Sequence, residues 1–297
     1  MEQRLLGEHG LILSSLGLGT RTWGLDTDPH EAAEMLTVYR DAGGSVLEVE
    51  DDPRFPEPAQ TVGELTRPGE LQLILRSTGR LPARGSLLDS LDRTLTHLGA
   101  DHVDLWIPMG PRREAPLAEL VEAAEVAWRS GRARYVGLGG LSWWDGGAAT
   151  TMGPFFSAWA GRLSILEPAL SQARAVRDAG LGLIAGAPLA GGMLTGKYRH
   201  STPPDARATS PRFKAELAPY EEAGPRAVIE ATCRAAEGLE RSPAQVALAW
   251  ARDEAGVTSA IIGPRGVRQL EHLLQIDGWR LPRALRDVLT EVALRPN

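Results

Sequence analysis

Short apolar runs alternate with amphipathic segments along most of this chain, and that alternation leaves few folds open to it. Ser15–Gly24, Ser45–Val49, Leu71–Arg76, Val103–Ile107, Ala133–Leu138, Leu163–Leu166, Leu181–Ala185 and Ser259–Ile262 read as strands. Helical patterns follow them. The first opens at Asp28-Pro29, with Pro in a first-turn position, and runs to about Ala42. Pro58–Thr66 is a short helix, and Ser86–Leu98 carries Leu87, Leu88, Leu91 and Leu95 on one face. Leu117–Arg129, Trp143 to about Met152, Ser171–Asp178, Arg226–Leu239, Pro243–Arg252, Val267–Gln275 and a last stretch near Pro282–Val292 complete the set. Strands that each return through a helix predict a parallel sheet, and eight of them predict a closed (β/α)8 TIM barrel. A hairpin around Glu8-His9-Gly10 precedes the first barrel strand, and the Pro-rich, polar segment His200–Pro225 reads as a surface loop or flap. No linker interrupts the pattern, so 1–297 reads as a single domain.

Composition narrows the function. A net charge of −6 argues against nucleic acid or an anionic membrane surface as partner. No apolar run approaches the about 20 residues of a membrane span, and no signal-peptide core opens the chain. The lone Cys233 excludes an internal disulfide and suits the cytoplasm. None of the six His residues forms a metal-ligand spacing with a carboxylate, so no metal is expected. No G-x-S-x-G elbow is present either. The expected partner is a small molecule, and nothing in the sequence sets an oligomeric state.

The chemistry-bearing stretch is Gly186-Ala-Pro188-Leu189-Ala-Gly191-Gly-Met-Leu-Thr-Gly-Lys197-Tyr198, which follows an apolar strand. Glycines let backbone N–H groups approach a ligand, and one lysine supplies a point charge for an anion such as a phosphate. This wording resembles the S-P-L-x-x-G-x-L-T-G-K-Y loop of aldo-keto reductases, in which it wraps the pyrophosphate of NADP. Leu16–Gly24 is similar to that family's opening L-G-L-G-T-x-x-x-G, and residues 86–105 to its S-L-x-R-L-x-x-D-Y-I-D-L segment. Gly131–Gly137 resembles G-K-x-R-Y-I-G, and Pro243–Trp250 the A-Q-V-A-L-A-W helix. The resemblance covers nearly the whole chain. It implies a barrel of aldo-keto reductase type with an N-terminal hairpin and an extra C-terminal helix. It also implies NADP as coenzyme, with Gly19, Thr20, Pro188, Leu189, Gly191, Lys197, Gly263, Arg265 and Gln269 as its contacts. Apart from this resemblance the sequence names no cofactor.

The family's tetrad of Asp, Tyr, Lys and His maps onto other residues. Its D-T-A-x-x-Y window reads Glu48-Val-Glu-Asp-Asp-Pro53, so Glu48 replaces the Asp and Pro53 the proton-donating Tyr. Arg76 stands at the Lys position, or Ser77 on a one-residue slip, and Met109 at that of the His. Gly139-Gly140 replaces the pair that holds the carboxamide, and Gly186 the aromatic that stacks on the nicotinamide. Strand alternation sends Glu48 and Glu50 to one face, at the end where barrel sites lie. Trp23, Trp106, Trp143 and Trp144 fall at strand C-ends or just beyond and, with Phe55, Asp51 and Met109, are expected to wall a pocket. Trp250 reads as core.

Three readings follow. In the first, Glu48 is a general acid or base and Arg76 an oxyanion or carboxylate clamp. The reaction is then non-redox: dehydration, isomerisation or cyclisation. In the second, the protein is an NADP-dependent oxidoreductase of carbonyl compounds whose proton comes from Tyr135, Tyr198 or an ordered water. The third is a redox-silent binding or regulatory protein, as potassium-channel β subunits are built on such barrels.

Overall fold

The structure, a computed structural model, describes residues 1–52, 55–77, 84–110, 117–141, 147, 150–153, 155–198, 220 and 223–294. A hairpin of β1 (Gln3–Leu6) and β2 (His9–Ser14) stands apart from a closed parallel barrel. The barrel strands are β3 (Leu16–Gly19), β4 (Val46–Asp51), β5 (Gln72–Ser77), β6 (Val103–Pro108), β7 (Ala133–Gly139), β8 (Phe156–Arg162), β9 (Gly182–Gly186) and β10 (Val257–Ile262). They neighbour one another in chain order, and β10 closes onto β3.

The helices are α1 (Pro29–Asp41), α2 (Glu57–Leu65), α3 (Arg84–Leu98), α4 (Leu117–Arg129), α5 (Leu170–Asp178), α6 (Ala223–Gly238), α7 (Pro243–Arg252), α8 (Val267–Leu274) and α9 (Arg283–Leu294). Asp28 caps α1 by accepting from the backbone N–H of His30 and Glu31, with Pro29 in the first turn. Ser242 and Gln245 form a reciprocal capping box on α7.

Alternation along the strands splits the core in two. Outward side chains meet the helices in the larger cluster, where Trp23, Trp106, Trp159 and Trp250 are almost wholly buried. Inward side chains, among them Val46, Ile74, Leu105, Ile107, Ala158, Ala160, Ile184 and Ile261, fill the barrel lumen. Leu6, Leu11 and Leu13 of the hairpin join that lumen cluster and stopper the N-terminal end. The register Leu5↔Ile12 leaves those two side chains on the exposed face of the hairpin.

Two expectations about elements change. The sixth barrel strand is Phe156–Arg162, not Leu163–Leu166, which lies just past it around a bridge between Ser164 and Glu167. Its inward positions hold Ala158 and Ala160, small because the lumen has no room for more, so the segment lacks the branched apolar run of its neighbours. The first strand ends at Gly19, and the chain then turns, with Trp23 bridged to Thr27. Most of the helix expected from Trp143 and most of the segment His200–Pro225 lie outside the described residues.

Candidate functional site

The C-terminal ends of β4 and β5 carry the densest charge inside the barrel. Glu50 and Arg76 are register partners, and Glu48 faces the lumen one pleat below Glu50. Arg76 Nε lies 3.4 Å from Glu48 Oε1 and Arg76 Nη2 3.3 Å from Glu50 Oε2. Arg21, from the loop after β3, places its Nε 3.0 Å from the same Glu50 oxygen. The sequence placed Glu48 and Arg76 here; Glu50 and Arg21 complete the network. Strand alternation was the signal for Glu50, and only the fold brings Arg21.

Glu48 is 8% exposed, and burial pushes its carboxyl above the ordinary glutamate range. The Arg76 guanidinium pulls the other way, Glu50 adds to the rise and Arg21 opposes it, with burial the largest influence. The group therefore keeps its proton to higher pH than a solvated carboxyl. Arg76 also crosses the barrel. A Cβ built on Gly186 of β9, four strands away around the ring, would lie 3.9 Å from Arg76 Nη1. The guanidinium thus occupies the centre of the mouth.

On the far wall, Arg162 at the end of β8 is the register partner of Gly186. Its Nε donates to Glu167 at 2.6 Å and its Nη2 to the hydroxyl of Tyr220. Tyr220 is buried, and desolvation drives its phenol up to about 12. Sequence reasoning missed this group, since its members are far apart in the chain and the strand that carries Arg162 was misplaced.

Several expected pocket residues point elsewhere. Trp106 is outward of the sheet, fully buried, and its Nε1 donates to Ser77 Oγ at 2.8 Å. Trp23 is fully buried in the same helix-side core. Asp51, one residue off the Glu48–Glu50 phase, turns toward Arg93 and Thr94 of α3, and burial raises it to about 6. Ser77 likewise faces outward, so Arg76 is the β5 residue in the lumen. Phe55 is bridged to Asp52 beyond β4. Met109 is at the mouth, its Sδ 2.6 Å from where Gly139 would carry a Cβ. Tyr135 is at the wrong end to serve as donor: its hydroxyl lies 3.4 Å from where Gly10 of the stoppering hairpin would carry a Cβ. Pro53, Trp143 and Trp144 lie outside the described residues.

The Gly-rich segment after β9 is a tight 3₁₀ turn, Ala190–Thr195. Gly191, Gly192 and Gly196 have positive φ, and so do Ala187 (52°) and Ala190 (48°), a region costly for residues with a Cβ. A Cβ on Gly192 would meet Lys197 Cε at 3.5 Å and Nζ at 3.7 Å, so the ammonium lies folded against bare backbone. Such a cradle fits a diphosphate. Leu189 packs partly against the core, and Pro188 is buried. Thr20 and Gly19 are spent on the neighbouring strand: Thr20 Oγ1 donates to the Glu48 carbonyl at 3.1 Å. After β10, Gln269 Oε1 accepts from the Arg265 backbone N–H at 3.0 Å, and Gly263 is exposed. Among the described residues no cluster of His, Cys, Asp and Glu could hold a metal ion, and no helix is long and apolar enough to cross a membrane.

Known proteins agree with this architecture. Residues 79–282 match the model of the aldo/keto reductase family. An uncharacterized oxidoreductase of Bacillus subtilis, YrpG, is 28% identical over 98% of this chain and 96% of its own. The L-glyceraldehyde 3-phosphate reductase of Escherichia coli K12 is 30% identical over 65% of this chain and 58% of its own. A probable voltage-gated potassium channel subunit beta of Oryza sativa is 27% identical over 93% and 92%. Matched family model, closed parallel barrel and hairpin stopper together place the chain: it belongs to the aldo/keto reductase family.

Proposed function

We propose that the protein is a nicotinamide-dependent oxidoreductase that reduces a small carbonyl compound, with Glu48 as the proton donor in place of the missing tyrosine. Similarity to an oxidoreductase and to a glyceraldehyde-phosphate reductase supports redox chemistry over the dehydration or isomerisation considered from the sequence. The observation that carries the proton-donor assignment is the buried Glu48 carboxyl held 3.4 Å from Arg76 in the mouth. A carboxyl that stays protonated is a general acid, and an adjacent guanidinium stabilises the negative charge that develops on a carbonyl oxygen.

The turn 190–195 with Lys197 would hold the coenzyme diphosphate. When bound, the coenzyme supplies a hydride to the carbonyl carbon. Arg76 orients the carbonyl oxygen, and Glu48 delivers a proton to it. Glu50 fixes Arg76 from the other side, and Arg21 restrains Glu50.

Steady-state reduction of a panel of aldehydes, followed by loss of reduced-nicotinamide fluorescence, tests this. Glu48→Gln is expected to lower kcat by about 10²–10⁴-fold, the usual worth of a positioned acid. In the wild type kcat should fall as pH rises through the elevated Glu48 value, because the protonated form is the active one. Substrate turnover without consumption of reduced nicotinamide would replace this reading with the non-redox one.

A further inference from the structure

Glu31, from the first helix, sits at the start of the helix that follows the last barrel strand. Phosphate sites in (β/α)8 barrels are often built from the loops after the seventh and eighth strands and a helix N-terminus there. In this chain the corresponding loops are the glycine-rich turn after β9 and residues 263–266 after β10, which neighbour each other because their strands do. The helix that opens beyond the second loop is α8, and its N-cap residue, Gly266, has no side chain to offer. The open backbone donors of a helix start attract anions.

That attraction is already met from within the chain. Glu31, in the first turn of α1, accepts the Val267 N–H through Oε1 at 2.7 Å. The same oxygen lies 2.6 Å from where Gly266 would carry a Cβ, so the absence of a side chain is what admits the carboxylate. Glu31 is held by its own backbone, whose N–H is bonded to the Asp28 cap. On the loop itself, the Arg265 guanidinium is turned into the fold with Nε and Nη2 buried. Arg268 is exposed, where solvent and salt screen its charge. The helix start therefore presents a carboxylate across its Val267 N–H.

We infer that Glu31 makes the protein select a nicotinamide dinucleotide without a ribose 2′-phosphate. A phosphate dianion beside this carboxylate meets like-charge repulsion and finds the Val267 N–H already taken, whereas a ribose hydroxyl can donate to a carboxylate oxygen. The inference rests on the coenzyme reading above and differs from the NADP expected from the sequence alone.

Direct binding, followed by quenching of tryptophan emission, separates the two claims. Wild-type protein is titrated with NADH and with NADPH, and the same is done for Glu31→Gln and Glu31→Ala. The wild type is expected to bind NADH tighter than NADPH by about 10–100-fold, the range of a close like-charge contact in partly screened surroundings. Glu31→Gln keeps the amide oxygen as acceptor for Val267 but removes the charge, so the ratio should shift toward NADPH at least about tenfold, or about 1.4 kcal/mol. Because the ratio compares two ligands on one protein, a general loss of stability cancels. Equal affinities in the wild type, an NADPH preference, or a ratio unchanged in both variants would overturn the role of Glu31 and leave the coenzyme reading standing. Failure of both dinucleotides to bind wild type would overturn the coenzyme reading itself.

Discussion

Arg76 reaches across the barrel because Gly186 has no side chain to stop it. A Cβ at Gly186 would meet the Gly161 carbonyl at 3.5 Å and Arg76 Nη1 at 3.9 Å, ordinary contacts, so Gly186→Ala should be tolerated. Gly186→Tyr puts a ring where the guanidinium lies and should cost about 1–3 kcal/mol in urea unfolding, as overpacking does. Combining it with the shorter Arg76→Lys should recover part of that loss, and a double-mutant cycle measures the coupling. The pair shows what was legible in the sequence. Glu48 and Arg76 could be placed at the mouth because strand phase and element order sufficed, and each departure from the family pattern could be read position by position. What could not be read was partnership: Gly186 fits Arg76 only once strands on opposite walls are brought together. Asp51 and Trp106 were misassigned for the converse reason, since a strand end tells the height of a residue in the barrel but one step of phase decides which side of the wall it takes.

Among the elements, the turn after β9 concentrates the backbone strain. Of the three non-glycine residues with positive φ among the described residues, Ala187 and Ala190 fall in or beside it. Ala190→Gly removes the Cβ conflict at φ 48° and should raise stability by about 0.5–1 kcal/mol in denaturant melts, net of glycine's greater freedom in the unfolded chain. Coenzyme binding should weaken in the same variant, because the alanine helps hold the turn in one shape; tighter binding would show that the strain serves no ligand. The sequence identified this turn by its glycines and lysine but held no sign of the left-handed alanines, of which Ala190 is packed into the buried core. Strand β8 was misplaced for a related reason: its alanines answer to the width of the lumen, a property of the closed ring and not of the segment.

For the molecule as a whole, buried acids make stability depend on pH in one direction. Asp51 rises from 3.8 when solvated to about 6 in the fold, chiefly through burial, with Arg93 and Thr94 pulling it down. The unfolded chain therefore releases this proton first, so stability is fully present below the unfolded value and is lost as pH climbs through about 6. Glu48 acts in the same sense. Urea unfolding across that interval should show a decline on the order of 2 kcal/mol attributable to Asp51, and Asp51→Asn should flatten it. An unchanged slope in the variant would assign the decline to other groups. The hairpin stopper has a consequence of its own. With Leu6, Leu11 and Leu13 closing the lower end and apolar lumen side chains above them, Arg76 and Glu50, charged neighbours of Glu48, lie at the mouth end of their strands. A ligand seated across that opening isolates the proton from bulk water for as long as it stays. A deuteron on Glu48 would then pass to the product hydroxyl, which exchanges with water on release, so the transfer is read as a solvent isotope effect on kcat and not as label kept in the product.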